Sequence, residues 1–287
     1  MEKEKKDLPT GKKNIFHKIT RFLWKTVKYS FLLVLVLLIS LIIAVQFPAF
    51  QTWAGKQASD YYSKELKTKV HIDKIQISFF TSVDLKGVYL EDLHKDTLLY
   101  GGDLSVKILD FSIKKKFLNI NTISLDNINA KILMYENEKS FNFQFIADYF
   151  ASTDTTIKKD STAPFKLDYG KLILNNVNFT YADRNDTTQT TGMNFSDIKL
   201  AGLSGSIYDI KFAGDTIRMN LDDLSTREKS GFHLKQLTTL LKVSPSEIRA
   251  DSLTLETGNT YLHGYLSFKQ DSYDDFSDFV NKVYMKA

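Results

Sequence analysis

The sequence predicts a mostly β chain behind a single N-terminal membrane-spanning helix. Three observations predict it. Residues 29–47 form an uninterrupted apolar run, a period-two alternation sets in at Val70 and keeps returning, and only four prolines stand in 287 residues to interrupt strands.

The run YSFLLVLVLLISLIIAVQF carries no charge, Gly or Pro from Phe31 to Val45, and its polar exception is Ser40. Taken from Val27 to Phe47 it has 21 residues. At ~1.5 Å per residue that length crosses a hydrocarbon core of roughly 30 Å. A helix apolar on every face has no side to offer to water. The competing reading is a cleaved signal, whose apolar region is shorter, about 7–15 residues, and ends at a small-x-small site. The following FPAFQTWAGKQA offers Ala54 and Ala58 but no clean cleavage pattern, so an anchor is expected. Residues 1–28 hold nine Lys/Arg against Glu2, Glu4 and Asp7. Positive flanks stay inside, which makes 1–28 a cytoplasmic tail and places the bulk of the chain in the periplasm.

Sorting charge by compartment removes a false lead. The chain's net +4 comes from the tail; the exported part keeps 29 of the 38 basic and 31 of the 34 acidic residues, a net −2. The basicity therefore speaks of topology and anionic inner-leaflet lipid, and no nucleic-acid partner is expected. With no cysteine, the exported part must hold together by burial alone, as its length permits. This suits a bacterial periplasm better than an oxidising secretory route.

Taken in order, residues 1–13 read as a charged, disordered start. Asn14–Trp24 is a basic amphipathic stretch, an interfacial helix leading into the span at 29–47. Residues 48–69 follow as a juxtamembrane amphipathic helix, with Trp53, Ala54, Ala58, Tyr61, Tyr62 and Leu66 at helical intervals. From 70 to 287 the pattern is β. Ile75, Ile77 and Phe79 alternate with polar residues, as do Leu104, Val106 and Ile108, then Phe141, Phe143 and Phe145, then Ile217, Met219 and Leu221. Turns are expected at Gly101-Gly102, Asp183–Asp186, Gly192, Gly214-Asp215 and Gly258-Asn259. Helices are expected around Gln144–Phe150 and His233–Lys242, and a loop near 152–164. Residues 123–132 (ISLDNINAKI) align without gaps on 172–181 (LILNNVNFTY) and on 253–262 (LTLETGNTYL). This reads as a repeat in which two strands flank a polar turn.

Chemistry is hard to find. Histidines 17, 71, 94, 233 and 263 pair at no ligand spacing, and without cysteine no metal or other cofactor is indicated. The pairs Glu91-Asp92, Asp222-Asp223 and Asp274-Asp275 read as solvated surface charge. Gly202-Leu203-Ser204-Gly205 falls one residue short of a nucleophile elbow, and Ser112 to Lys115 fits S-x-x-K only inside a basic loop. An enzyme is not expected.

A one-sided sheet needs its apolar face covered, and the few helices cannot do so. Either a second sheet packs on it, giving a membrane-tethered β-sandwich that serves as a structural or binding module, or the sheet stays open as a groove. The order of features resembles the N-terminal portion of the AsmA-like superfamily, most closely the TamB (translocation and assembly module) proteins of Gram-negative bacteria. A basic tail, one span and a short helix precede residues 70–108 and 119–146, and Asn137–Phe143 resembles the polar turn and alternating strand start of such proteins, without the Gly often found there. The resemblance implies a long antiparallel sheet curled into a taco-like groove. It further implies an inner-membrane protein of outer-envelope biogenesis that moves lipid between membranes, assists outer-membrane protein translocation and assembly, or both. Phospholipid acyl chains would be its cargo, and an outer-membrane assembly-barrel protein its partner, met through a C-terminal region that 287 residues do not contain. The expected groove lining is Ile75, Ile77, Phe79, Leu104, Val106, Ile108, Ile123, Leu125, Leu172, Leu174, Phe179, Leu253 and Leu255.

Overall fold

A computed structural model describes residues 12–78, 81–112, 115–153, 166–186 and 192–287. It divides into two compact units, residues 1–50 and 51–287. In the first, the expected interfacial and spanning helices are one continuous helix, α1 (Lys12–Val45). Its stretch Phe22–Val45 is long and apolar enough to cross a membrane. The hydroxyls of Thr26 and Ser40 donate to the carbonyls of Phe22 (3.0 Å) and Val36 (2.8 Å), so neither polar atom is left bare among apolar side chains. Pro48 has no N–H to continue the ladder, and a new helix, α2 (Pro48–Glu65), starts there.

The second unit is one open sheet of eleven strands in sequence order. These are β1 (Val70–Ser78), β2 (Ser82–Glu91), β3 (Thr97–Ser112), β4 (Phe117–Met134), β5 (Lys166–Asp183), β6 (Asp197–Ala213), β7 (Thr216–Glu228), β8 (His233–Ser244), β9 (Glu247–Thr257), β10 (Tyr261–Lys269) and β11 (Tyr284–Lys286). Helix α3 (Gln144–Thr153) stands where a helix was expected. The polar segment that follows it lies largely outside the described residues. All pairings are antiparallel except β4 with β5, so the sheet is mixed where a purely antiparallel one was expected. The parallel pair exists because the connection through α3 returns the chain to the end from which β4 set out, as a crossover must.

Two further expectations are corrected. His233–Lys242 is β8, not a helix: its apolar residues fall three and four apart because the strand is irregular after Leu234 and after Thr238. Phe141–Phe145 is not a strand. Only Phe141 makes a bridge, to Met134, because the buried Asn142 side chain accepts from the Leu133 N–H (3.0 Å) and donates to the Lys131 carbonyl, closing a turn into α3.

The edge at β1 is capped by α2. Ser63 both accepts from the Val70 N–H and donates to its carbonyl (2.9 Å each), and Ser59 Oγ accepts the Ile72 N–H (2.8 Å). A Cβ on Gly55 would stand 2.8 Å from the Ile72 carbonyl oxygen, so the small residues let the helix lie directly on the strand edge. Edge strands otherwise template aggregation. Ser59→Ala strands the Ile72 N–H and is expected to cost about 1–2 kcal/mol, read as a lower urea midpoint at unchanged slope.

Among the described residues every strand belongs to one sheet and contacts no strand other than its sheet neighbours, so there is no second sheet and the sandwich reading fails. Yet Ile128 keeps only 3% of its surface exposed. In a single layer this requires the sheet to curl, so that side chains on one face cover one another.

Candidate functional site

Cross-strand register shows which side chains share that face. Ile77, Val83, Val106, Ile123, Leu172, Ile207 and Leu221 form one unbroken row from β1 to β7. Beside it run Ile75, Leu85, Leu104, Leu125 and Leu174. Farther along the strands come Ile72, Val88, Gly101 and Ile128, and on the later strands Leu224, Leu237, Leu255 and Leu262 form a row of their own. A last row holds Val70, Leu90, Leu99, Ala130, Phe179 and Leu200. The face is most buried around Ile128, Leu174, Val177, Leu221 and Leu224. The opposite face of the same strands presents Lys107, Thr122, Lys171, Tyr208 and Asn220 in one row.

Of the expected lining residues, Ile75, Ile77, Leu104, Val106, Ile123, Leu125, Leu172 and Leu174 therefore stand in two adjacent rows. Ile108 continues the alternation of Val106, while Phe179, Leu253 and Leu255 stand farther along the strands on the same face; Phe79 lies outside the described residues. Val83, Leu85 and Leu221 keep to alternation but are missing from the expected lining, whereas Ile128, Val177 and Leu224 depart from it.

The second group departs from period two because a belt of left-handed residues crosses the sheet. Leu85 and Val88 are three residues apart, an odd spacing that should put them on opposite faces. They share a face because Gly87 between them has φ +59°. The same happens at Asn127 (φ +53°), Asn176 (+54°), Asp223 (+53°) and Ser252 (+51°). The left-handed residue absorbs the odd spacing; at Asn176, Asp223 and Ser252 the register to a neighbouring strand also shifts, a bulge that bends the strand. Its neighbours hold it in place: Asn176 Nδ2 donates to Asn127 Oδ1 (2.7 Å), the Asn176 N–H to Ser204 Oγ (3.0 Å) and the Asp223 N–H to Thr238 Oγ1 (3.0 Å). The sequence repeat acquires a physical meaning here. β4 and β5 pair with a constant offset of 49 from Phe117↔Lys166 to Met134↔Asp183, so the first two copies lie side by side in register. Their polar pairs, Asp126-Asn127 and Asn175-Asn176, lie inside continuous strands rather than at turns; only in the third copy is Gly258-Asn259 a turn.

At one end the face is closed by a polar knot centred on Asp92. This carboxylate was expected to be solvated, but it is 1% exposed. It accepts from Tyr135 Oη (2.6 Å), Asn142 Nδ2 (3.0 Å) and the N–H groups of His94 (2.9 Å) and Asp96 (3.0 Å). Burial alone would push its pKa up; these four donors outweigh burial and hold it below its ordinary value. Burial, and then the bond to Asp92, push the Tyr135 phenol up. The guanidinium of Arg184 lies 4.6 Å over the Tyr135 ring, and His94 meets Glu138 at 2.8 Å. The knot ties the β2–β3 turn to the β4–α3 turn. Every donor around Asp92 is engaged with it, which suits a structural clasp rather than a catalytic acid. No family model and no curated protein matches this chain.

Proposed function

We propose that the protein is a membrane-anchored carrier of lipid acyl chains in outer-envelope biogenesis, related to the AsmA-like and TamB proteins that its sequence resembles. The observation that carries the proposal is the continuous apolar face of a single-layer sheet with no second sheet upon it among the described residues. A groove of this kind shields methylenes from water, worth ~0.8 kcal/mol each, and needs no bond-making chemistry. The apolar helix Phe22–Val45 supplies a reason for such a face to be near lipid, joined to α2 by only Gln46 and Phe47. In this proposal the helix is an inner-membrane anchor, its basic flank lies in the cytoplasm and the sheet lies in the periplasm. Assistance to outer-membrane protein assembly belongs to the same proposal, as a use of the same face.

A photo-crosslinking residue in place of Leu104 or Leu125 in the full-length protein is expected to yield phospholipid adducts in cells. The same residue at Lys107 or Lys171, on the opposite face, should yield few. Equal labelling of both faces, or none at either apolar position, would exclude the lipid reading.

A further inference from the structure

The polar face carries a feature that acyl chains cannot explain. Lys211 of β6 pairs with Arg218 of β7, Arg218 with Lys242 of β8, and Lys242 with Arg249 of β9. Arg249 pairs in turn with Ser267, and Ser267 with Lys286 of β11. Five cations thus stand in one cross-strand row over six successive strands. Neighbouring strands are only about 4.8 Å apart, and like charges directly opposite one another destabilise a sheet. A sheet selected for stability alone would alternate signs along such a row.

Neutralisation inside the molecule is partial. Lys242 meets Glu247 at 2.8 Å, and Arg249 meets Asp251 at 2.7 Å. The Asp209 carboxylate accepts from Asn220 Nδ2 (3.1 Å). Lys211 and Arg218 are exposed, and neither has a carboxylate partner among the described residues. These residues border one depression of about 560 Å³, with Leu240, itself 44% exposed, at its side. Asp209, at φ +53°, is the extra residue of a β6 bulge beside Lys211, so the strand bends at this place.

We propose that this depression binds a phosphate group. Lys211 and Arg218 hold its oxygens, the planar guanidinium offering two parallel N–H donors and the ammonium a point charge, while Lys242 and Arg249 raise the local potential from behind their own carboxylates. The exposed Leu240 leaves room for an organic substituent on the phosphate. The site lies on the face opposite the apolar rows and stands whether or not those rows carry lipid.

The test uses the full-length protein in a non-ionic detergent and titrates three probes: pyrophosphate, sulfate and a short-chain phosphatidic acid. The basic N-terminal tail is common to all variants, so differences between variants report the row. Saturable pyrophosphate binding is expected, weakened about a hundredfold in Lys211→Gln/Arg218→Gln, roughly the loss of two charge-assisted contacts at about tenfold each, and unchanged in Lys107→Gln on the same face. Because the double variant relieves like-charge repulsion, it should unfold no earlier than wild type, which separates lost binding from lost fold. Tighter binding of phosphatidic acid than of pyrophosphate identifies a lipid headgroup as the source, and equal binding a free phosphate. Equal pyrophosphate affinity in wild type and double variant, or no saturable binding of any probe, overturns the proposal.

Discussion

Asp92→Ala is expected to lower the stability of the sheet unit by about 3–5 kcal/mol, the range for removing one partner from a buried charged network. The size follows from what is left behind. Tyr135 Oη, Asn142 Nδ2 and two backbone N–H groups lose their common acceptor, a carboxylate that is 1% exposed, and only Asn142 Nδ2 keeps another, the Lys131 carbonyl. Asp92→Asn keeps the shape and one acceptor oxygen but turns an NH₂ toward donors, so roughly half that loss is expected. The same clasp predicts an acid limb. The folded carboxyl titrates below its unfolded value of 3.8, so the folded state binds fewer protons there. Its contribution is complete above that value and is lost as pH falls through the folded pKa. Urea midpoints measured between pH 6 and pH 3 should fall more steeply in wild type than in Asp92→Asn, where the group is absent. Parallel profiles would show that Asp92 does not carry the charge assigned to it.

The β character, the long apolar N-terminal helix, the open sheet and most residues of its apolar face were legible because each rests on a local regularity of composition or period. What escaped was decided by single left-handed residues. A run such as Leu125-Asp126-Asn127-Ile128 breaks period two, and taken alone it suggests a turn. Set beside Leu85-Lys86-Gly87-Val88, Leu174-Asn175-Asn176-Val177, Leu221-Asp222-Asp223-Leu224 and Ala250-Asp251-Ser252-Leu253, it shows one rule. An apolar residue, a polar one, a residue tolerant of positive φ, and an apolar residue again keep both apolar side chains on one face. Asn, Asp and Gly at the third place are the signal, since they enter that conformation at least cost. The Asp92 clasp left no such trace. Its partners Tyr135 and Asn142 are 43 and 50 residues away in sequence, and only the meeting of two turns at one end of the sheet brings them together.

The belt also singles out Gly205 as the position where the smallest change should have a large effect. Gly205 pairs with Leu174 across β5–β6 and has φ +129°, in a region that L side chains rarely enter. A Cβ there would meet the Asp223 carbonyl oxygen at 2.7 Å, Leu224 Cδ2 at 2.7 Å and Leu224 Cα at 2.8 Å. Two of these three are backbone atoms of the neighbouring bulge, so no rotamer change relieves the contact, and β6 and β7 must separate where the apolar face is most buried. Backbone strain of about 1–3 kcal/mol and overpacking of a similar size add, giving roughly 3–5 kcal/mol for Gly205→Ala. Gly214→Ala isolates the first contribution. Gly214 sits in the β6–β7 turn at φ +57° with nothing within 4 Å of its would-be Cβ, and about 1–2 kcal/mol is expected. The difference between the two urea midpoints therefore measures the close approach of the strands together with the extra strain of φ +129° over φ +57°. Because that approach curls the sheet around Leu174, lipid cross-linking from Leu125 should fall in Gly205→Ala under conditions where it remains folded, and hold in Gly214→Ala. Equal midpoint losses in the two variants would mean that the belt's packing does not set the curl.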